Sequence, residues 1–186
     1  MKQLKLGIDI DGCVADFVGT FLNIYNFAYN TSFLRKDITQ YDIAKALGEP
    51  PERVYSMIFK MQTSGVYDIL ATIPEARKYL HRLKNDGHKL DYISDRINAS
   101  GTINWFRDNN IPYDRLFLVK EKLQVFKELG TDLVIEDKPS TVINCASNGI
   151  ESLLIDAPYN RGVPNINGLI TRVTSWEEIY DFIDIK

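Results

Sequence analysis

Two aspartates, Asp9 and Asp11, end the run LGIDID, and Gly12 follows at once. A carboxylate that is removed from water costs free energy unless a partner compensates its charge. A metal cation is the natural partner for two carboxylates so close together, and Mg²⁺ in particular prefers hard oxygen ligands. We therefore expect a metal site where the first strand ends.

Further polar side chains end or follow three other predicted strands, KLDYIS, LFLV and DLVIE. In chain order these side chains are Ser94, Asp95 and Arg96, then Lys120 and Lys122, then Glu136 and Asp137. In an open parallel sheet, ligands bind beyond the carboxyl ends of the strands, so all of these groups are expected near one edge. The site would then combine carboxylates, a hydroxyl and ammonium groups.

This combination of groups suits the transfer of a phosphoryl group. Ammonium groups and a metal ion neutralise a phosphate from several sides. One aspartate can attack the phosphorus atom and form an aspartyl-phosphate. A second aspartate, two residues further along, lies on the same side of the strand, so it can act first as an acid and then as a base. The residues therefore predict hydrolysis of a phosphomonoester.

The pattern of apolar residues predicts an α/β fold. Residues 4–9 alternate with the period of a strand. From Ile73 onward, helical patterns alternate with the strands KLDYIS, LFLV, DLVIE and SLLI, and one of these helices is centred on Ile103 and Phe106. Such alternation is typical of a parallel sheet that helices cover on both faces. The predicted architecture is a three-layer α/β/α sandwich.

Residues 17–72 are expected to form an insertion after the first strand. The segment opens with an amphipathic helical pattern, and the stretch PPERVYSMIFKMQ predicts a second helix with prolines at its start. No convincing strand pattern follows within it. We therefore expect a catalytic core, residues 1–16 and 73–186, with a small helical cap, residues 17–72, inserted into it.

The composition argues against several classes of protein. The chain has 186 residues, a net charge of −3 and a pI near 5.4, which disfavours binding to a nucleic acid polymer or an anionic membrane. No segment approaches the roughly 18 to 20 apolar residues of a membrane span, and Lys5 and Asp9 interrupt any signal-peptide core. Cys13 and Cys145 have neither metal-type nor disulfide-type spacing, so a cytoplasmic location is expected. A homodimer and a small anionic substrate stay open.

The motifs resemble those of a known superfamily. Ile8-Asp9-Ile10-Asp11-Gly12, then Ser94, a following lysine and Glu136-Asp137 occur in the order found in the haloacid dehalogenase (HAD) superfamily of phosphatases, whose core is a Rossmannoid sheet. More narrowly, DIDGCVADF, VIEDKP, PYNR and RVTSWEEI resemble segments of 5′(3′)-deoxyribonucleotidases and their bacterial and phage relatives. The resemblance implies a phosphatase of the nucleotidase type.

The resemblance also implies a role for each carboxylate. Asp9 would be the nucleophile, and Asp11 would be the general acid and base. The carboxylates of Asp9 and Asp137 and the backbone carbonyl of Asp11 would hold Mg²⁺. Glu136 stands where many relatives have Asp or Gly, and we expect it beside the metal ligands rather than on the metal.

The transferring phosphate is expected at the ends of two strands. The resemblance implies Ser94 and one lysine as its ligands. We favour Lys122, which starts a helix and precedes Gly130 by eight residues, while Lys120 stays open. Asp95 and Arg96, which follow Ser94 directly, are further candidates for this phosphate site.

The predicted substrate is a deoxyribonucleoside monophosphate, hydrolysed with Mg²⁺. Phe17 and Phe21 lie nearest the site in the sequence, so they are the candidates for stacking on a nucleobase. One alternative is a HAD phosphatase acting on a sugar phosphate or another small phosphate. A non-enzymatic alternative is a receiver-like phospho-acceptor domain. The order of the motifs disfavours a receiver, because Ser94 occupies the place of the acceptor aspartate.

Overall fold

A parallel sheet of six strands forms the centre of the fold. The structure is a computed structural model that describes residues 2–186. The strands are β1 (Lys5–Ile8), β2 (Lys89–Ser94), β3 (Arg115–Leu118), β4 (Leu133–Glu136), β5 (Glu151–Ile155) and β6 (Ile170–Val173). Their order is β3-β2-β1-β4-β5-β6, and all neighbouring pairs run parallel. Strand β1 therefore lies between β2 and β4, so the carboxyl ends of these three strands are adjacent.

Helices cover both faces of this sheet. They are α1 (Phe17–Tyr29), α2 (Ile43–Leu47), α3 (Pro51–Thr63), α4 (Ala76–Asn85), α5 (Ala99–Asp108), α6 (Lys122–Leu129), α7 (Pro139–Ser147) and α8 (Trp176–Asp184). Successive side chains of a strand point to opposite faces. In β4, Leu133 and Ile135 pack in the core with α4 and α8, while Val134 packs with Phe126 of α6 and Cys145 of α7. The predicted three-layer sandwich is confirmed. None of the helices within residues 2–186 is long and apolar enough to cross a bilayer.

Two details differ from the prediction. Strand β6 was not predicted, because its ITRV sequence buries Ile170 and Val173 and therefore lacks the two-residue period of a strand. Helix α5 lies where a helix was expected, and Phe106 is buried, but Ile103 is exposed and Trp105 is the second large side chain that the helix buries. Propensity patterns place an element well, but they assign its buried face poorly when the helix is short.

The segment between β1 and α4 contains α1, α2, α3 and two short 3₁₀ turns, and no strand of the sheet. Its two ends are joined. Ala15 and Thr72 form an antiparallel bridge. On either side of it, Asp16 N–H donates to the Ala71 carbonyl at 2.7 Å and Ile73 N–H donates to the Val14 carbonyl at 2.7 Å. The chain therefore leaves the core and returns to it at one point, close to the end of β1.

Candidate active site

Charged side chains from β1, β4 and α6 meet at the predicted edge of the sheet. Asp9 follows β1, Glu136 ends β4, and Lys122 is the first residue of α6. Lys122 Nζ lies 2.7 Å from Asp9 Oδ1 and 2.7 Å from Glu136 Oε1, and all three side chains are buried. Lys120 is exposed. Of the two lysines that the sequence left open, Lys122 is the one that contacts Asp9.

Glu136 is held by the backbone as well as by Lys122. Its Oε2 accepts the N–H of Asp137 at 2.8 Å and the N–H of Lys138 at 3.0 Å. Burial alone would raise the pKa of Glu136, but the Lys122 ammonium and these N–H donors keep that pKa below its ordinary value. Both oxygens of Glu136 therefore already have protein donors.

Asp137, in contrast, has an unused oxygen. Tyr159 donates its hydroxyl hydrogen to Asp137 Oδ2, and Asn160 Nδ2 donates to the Asp137 carbonyl at 2.9 Å. Asp137 Oδ1 is buried without a hydrogen-bond partner among the described residues. Gly12 approaches so closely that a Cβ there would lie 1.9 Å from Asp137 Oδ2, and its φ of +85° also favours glycine. This contact brings the loop after β1 against the end of β4.

The side chains alone do not balance the negative charge of this centre. Burial, together with the charge of Glu136, raises the pKa of Asp9 to about 8. Burial and the charges of Glu136 and Asp9 raise the pKa of Asp137 well above its ordinary value. Burial alone would lower the pKa of Lys122, but Asp9 and Glu136 hold it well above its usual range. An additional positive charge would favour the ionised carboxylates.

A hard divalent cation fits the donor atoms present. Ligand atoms of Asp9, Cys13, Glu136 and Asp137 all lie within 4.8 Å of one another. The backbone carbonyl of Asp11 accepts no backbone hydrogen bond within residues 2–186. Carboxylate and carbonyl oxygens are the ligands that Mg²⁺ prefers. Burial raises the pKa of the Cys13 thiol well above its ordinary value, which keeps this soft donor protonated.

Strand β2 ends in the residues that were predicted to bind phosphate. Ser94 is fully buried at the strand end, and its Oγ lies 3.4 Å from the N–H of Arg96. Asp95 is exposed towards a cavity and forms an ion pair with Lys138 at 3.5 Å. Arg96 is buried and donates from Nε and Nη2 to the two oxygens of Asp11 at 2.9 and 2.7 Å. Arg96, Ser94 and Lys122 do not line the cavity, and Arg96 Nη1 is buried without a hydrogen-bond partner among the described residues, so the phosphate contact of Arg96 stays a prediction.

A cavity of about 460 Å³ adjoins Asp11, Gly12 and Asp137. Its walls come mainly from the segment between β1 and α4, and five aromatic side chains line it: Phe17, Tyr41, Tyr55, Tyr67 and Tyr159. Tyr41 and Tyr159 meet edge to face, with ring centroids 5.7 Å apart. The site thus joins a buried charged centre to a cavity with five aromatic side chains in its wall.

Of the two phenylalanines proposed from the sequence, Phe17 lines this cavity and Phe21 does not. Phe21 is fully buried behind Phe17, with ring centroids 6.2 Å apart. Tyr67 and Tyr159 were not predicted from the sequence, although Tyr159 belongs to the PYNR segment that carries part of the resemblance. Its position after β5, at the carboxyl edge of the sheet, is the signal that could have found it.

The chain is similar to known proteins both in sequence and in fold. A family model described as 5′ nucleotidase, deoxy (pyrimidine), cytosolic type C protein matches residues 2–186. A nucleotidase of Clostridium acetobutylicum is 30% identical over 187 residues, covering 99% of this chain and 95% of that protein. A Chlorobaculum tepidum protein named "Putative 5′(3′)-deoxyribonucleotidase" is 28% identical over 192 residues, covering 98% of this chain and 91% of that one. A haloacid dehalogenase-like hydrolase from Streptococcus pneumoniae shares the fold, with a TM-score of 0.70 and 12% identity over 97% of this chain and 98% of that chain.

Proposed function

The chain belongs to the family of cytosolic type C deoxy (pyrimidine) 5′-nucleotidases, within the HAD phosphatases, and from that premise we propose that it is an Mg²⁺-dependent 5′(3′)-deoxyribonucleotidase. It would hydrolyse deoxynucleoside monophosphates through an aspartyl-phosphate. The observation that carries the proposal is the direct junction between the charged centre around Asp9 and a cavity with aromatic walls. The family membership itself makes the chain a hydrolase and disfavours the receiver-like alternative.

The proposed reaction has two steps that use the same aspartates. Asp9 Oδ1 is engaged by Lys122, which leaves Oδ2 to attack the phosphorus atom. The new Asp9–phosphorus bond forms as the bond from phosphorus to the nucleoside oxygen breaks, and Asp11 gives its proton to that oxygen. A water molecule then attacks phosphorus, Asp11 takes its proton, and Asp9 is regenerated as phosphate leaves. Ser94 and Lys122 would bind the phosphate oxygens throughout.

Mg²⁺ would be held by the carboxylates of Asp9 and Asp137 and by the carbonyl of Asp11, where it would neutralise the charge shared by carboxylates and phosphate. The unused Asp137 Oδ1 and the raised pKa values of Asp9 and Asp137 support this assignment. Glu136 would orient Lys122 and the start of α7 from behind these ligands, since both of its oxygens are already occupied.

Substrate choice is assigned to residues 17–72, which act as the cap in this proposal. No lysine or arginine is found among the described residues that line the cavity, so the group attached to the phosphate is expected to be uncharged. Aromatic walls suit a flat nucleobase, since stacking contributes roughly 1 to 3 kcal/mol per base. The name of the C. tepidum relative points to the same substrates. The two cysteines are free and buried, which suits the cytoplasmic location that we propose.

A phosphate-release screen tests this function directly. The purified protein is offered 5′- and 3′-deoxynucleoside monophosphates, ribonucleoside monophosphates, sugar phosphates and 4-nitrophenyl phosphate, each with Mg²⁺ and with a chelator. Asp9→Asn, purified in parallel, controls for contaminating phosphatases. We expect the highest kcat/KM with deoxynucleotides, and only with the metal. A preference for sugar phosphates would replace the nucleotidase with the small-molecule phosphatase that the sequence left as an alternative.

A further inference from the structure

Arg96 and Asp11 form a bidentate salt bridge, with two hydrogen bonds between one guanidinium and one carboxylate. Arg96 Nε donates to Asp11 Oδ2 at 2.9 Å, and Arg96 Nη2 donates to Asp11 Oδ1 at 2.7 Å. Such a paired contact fixes the plane of a carboxylate, which a single hydrogen bond does not. Within residues 2–186, the Asp11 carboxylate has no other side-chain donor. The orientation of Asp11 therefore depends on Arg96.

The guanidinium of Arg96 is itself held in place. Its carbon Cζ lies 4.7 Å from the centre of the Tyr67 ring and 5.3 Å from the centre of the Trp105 ring, at distances typical of cation–π contacts. Tyr67 belongs to the segment between β1 and α4, whereas Trp105 belongs to α5 in the core. The side chain of Arg96 is 1% exposed, and that of Asp11 is 19% exposed. Arg96 is thus an anchored support, and Asp11 is the member of the pair that faces the cavity.

From this arrangement we infer that Arg96 is a positioning residue, which orients the Asp11 carboxyl group for proton transfer to the leaving oxygen. The inference rests on the proposed function, in which Asp11 is the acid. Each carboxylate oxygen has two acceptor positions, so the pair with Arg96 leaves one position on each oxygen for the transferred proton. In this inference Arg96 acts through Asp11, to which its Nε and Nη2 both donate, and does not touch the substrate.

The dependence of rate on the leaving group separates this role from phosphate binding. Departure of a nucleoside alkoxide needs a proton from the acid, whereas 4-nitrophenolate leaves as a stable anion and hardly needs one. The quantity to compare is kcat/KM, because it includes only the steps up to transfer of phosphate to Asp9. A residue that positions the acid affects the alkyl substrate far more than the aryl substrate. A residue that binds phosphate affects both substrates equally.

The experiment uses Arg96→Lys, which keeps the charge but loses the planar pair of donors. Its kcat/KM is measured on a deoxynucleoside monophosphate, or on glycerol phosphate if nucleotides are not turned over, and on 4-nitrophenyl phosphate. We expect a loss of about 10- to 100-fold on the alkyl phosphate, since a small misplacement of a reacting group costs about that much. The loss on the aryl phosphate should be at least several times smaller. Arg96→Gln takes its place if the lysine variant does not fold.

Two reference variants make the result decisive. Asp11→Asn should show the same leaving-group dependence more strongly. Arg115 forms a similar pair with Asp91, at 2.8 and 2.6 Å, away from the cavity. Arg115→Lys breaks this pair and should leave kcat/KM unchanged on both substrates. Suppose that Arg96→Lys loses kcat/KM equally on both substrates while Asp11→Asn shows the leaving-group dependence. That result would overturn the inference about Arg96 and leave the proposed function standing. If Asp11→Asn also shows no such dependence, the acid role of Asp11 fails, and the inference fails with it.

Discussion

Lys122 Nζ lies 2.7 Å from Glu136 Oε1, in a pair that is buried behind Asp9. This contact distinguishes Glu136 from the neighbouring carboxylate of Asp137. Glu136 is engaged through both oxygens, by Lys122 and by two backbone N–H groups. Asp137 keeps one buried oxygen without a partner in the described part of the chain. The two residues should therefore respond differently to substitution.

Removal of Asp137 should impair metal binding more than a change at Glu136. Asp137→Ala deletes a proposed Mg²⁺ ligand, and we expect its Kd for Mg²⁺, measured by calorimetry, to rise by more than the roughly 10- to 100-fold that loss of a residue behind the ligands costs. Glu136→Gln keeps the size of the side chain, and its Kd should change less. The Glu136→Gln variant should have a lower Tm than wild type, because Lys122 loses one buried ionic partner. If Glu136→Gln has the larger effect on Kd, the direct metal ligand is Glu136.

Asp9→Asn should lose nearly all phosphatase activity. The substitution preserves size and removes the attacking charge, so we expect kcat to fall by several orders of magnitude. The control is Asp108→Asn, an exposed carboxylate in α5 that should leave kcat unchanged. A purified Asp9→Asn protein that keeps even a tenth of the wild-type rate would exclude Asp9 as the nucleophile.

Phe17 and Phe21 should have separate effects, because only Phe17 reaches the cavity. Phe17→Leu should lower kcat/KM on a deoxynucleotide by about tenfold through loss of stacking, and spare 4-nitrophenyl phosphate. Phe21→Leu is the matched control in the core, and should lower Tm without changing the ratio of the two rates. Loss of the nucleotide preference in Phe21→Leu, but not in Phe17→Leu, would contradict the assignment of the cavity.

Gly12→Ala should disrupt the site through its backbone and its contact with Asp137. An added Cβ would lie 1.9 Å from Asp137 Oδ2, and the φ of +85° is strained for any other residue. We expect weaker Mg²⁺ binding and a lower Tm, measured by calorimetry and by thermal unfolding. Gly48→Ala is the control for strain alone, since its φ is +65° and nothing lies within 4 Å of the added Cβ. Equal Mg²⁺ affinity in wild type and Gly12→Ala would show that this contact does not shape the site.

His88 should make the fold sensitive to acid. The ring is buried and accepts the Leu4 N–H at Nδ1, 3.1 Å away, and burial lowers its pKa below the ordinary value of 6.5. Between the lowered pKa and about 6.5, the unfolded chain binds more protons than the folded chain. His88 therefore stabilises the fold above about pH 6.5, and this contribution falls as the pH drops through the lowered pKa.

His88→Gln keeps an acceptor for the Leu4 N–H and removes the titrating ring. Unfolding free energies measured from pH 7 to pH 5 should fall less in this variant than in wild type. The difference between the two proteins isolates His88 from the carboxylates of the site. His81→Gln serves as the control for removal of a histidine ring, since His81 is only partly buried. A wild-type slope in His88→Gln would exclude His88 as the cause.

The sequence predicted the sheet and the strand-end carboxylates well because both follow local rules. Asp9, Glu136 and Asp137 directly follow or end apolar runs, and a parallel sheet brings such ends together. The pairing of Arg96 with Asp11 could not be predicted, because it joins residues 85 positions apart through two loops. The cavity could not be predicted from the sequence either. Helical spacing cannot tell Phe17 from Phe21 when both lie on the apolar face of one helix.

The bridge between Ala15 and Thr72 has a consequence for how this protein can vary. A segment whose two ends are hydrogen-bonded to each other can change in length and sequence while the sheet keeps its register, because lengthening a closed loop costs little. The segment between Ala15 and Thr72 is therefore well suited to replacement by the corresponding segment of a relative. With the role that we propose for residues 17–72, such chimeras would combine the substrate selectivity of the donor with the reaction of the recipient. The closed ends of the segment thus allow its sequence to change separately from the residues that carry out the reaction.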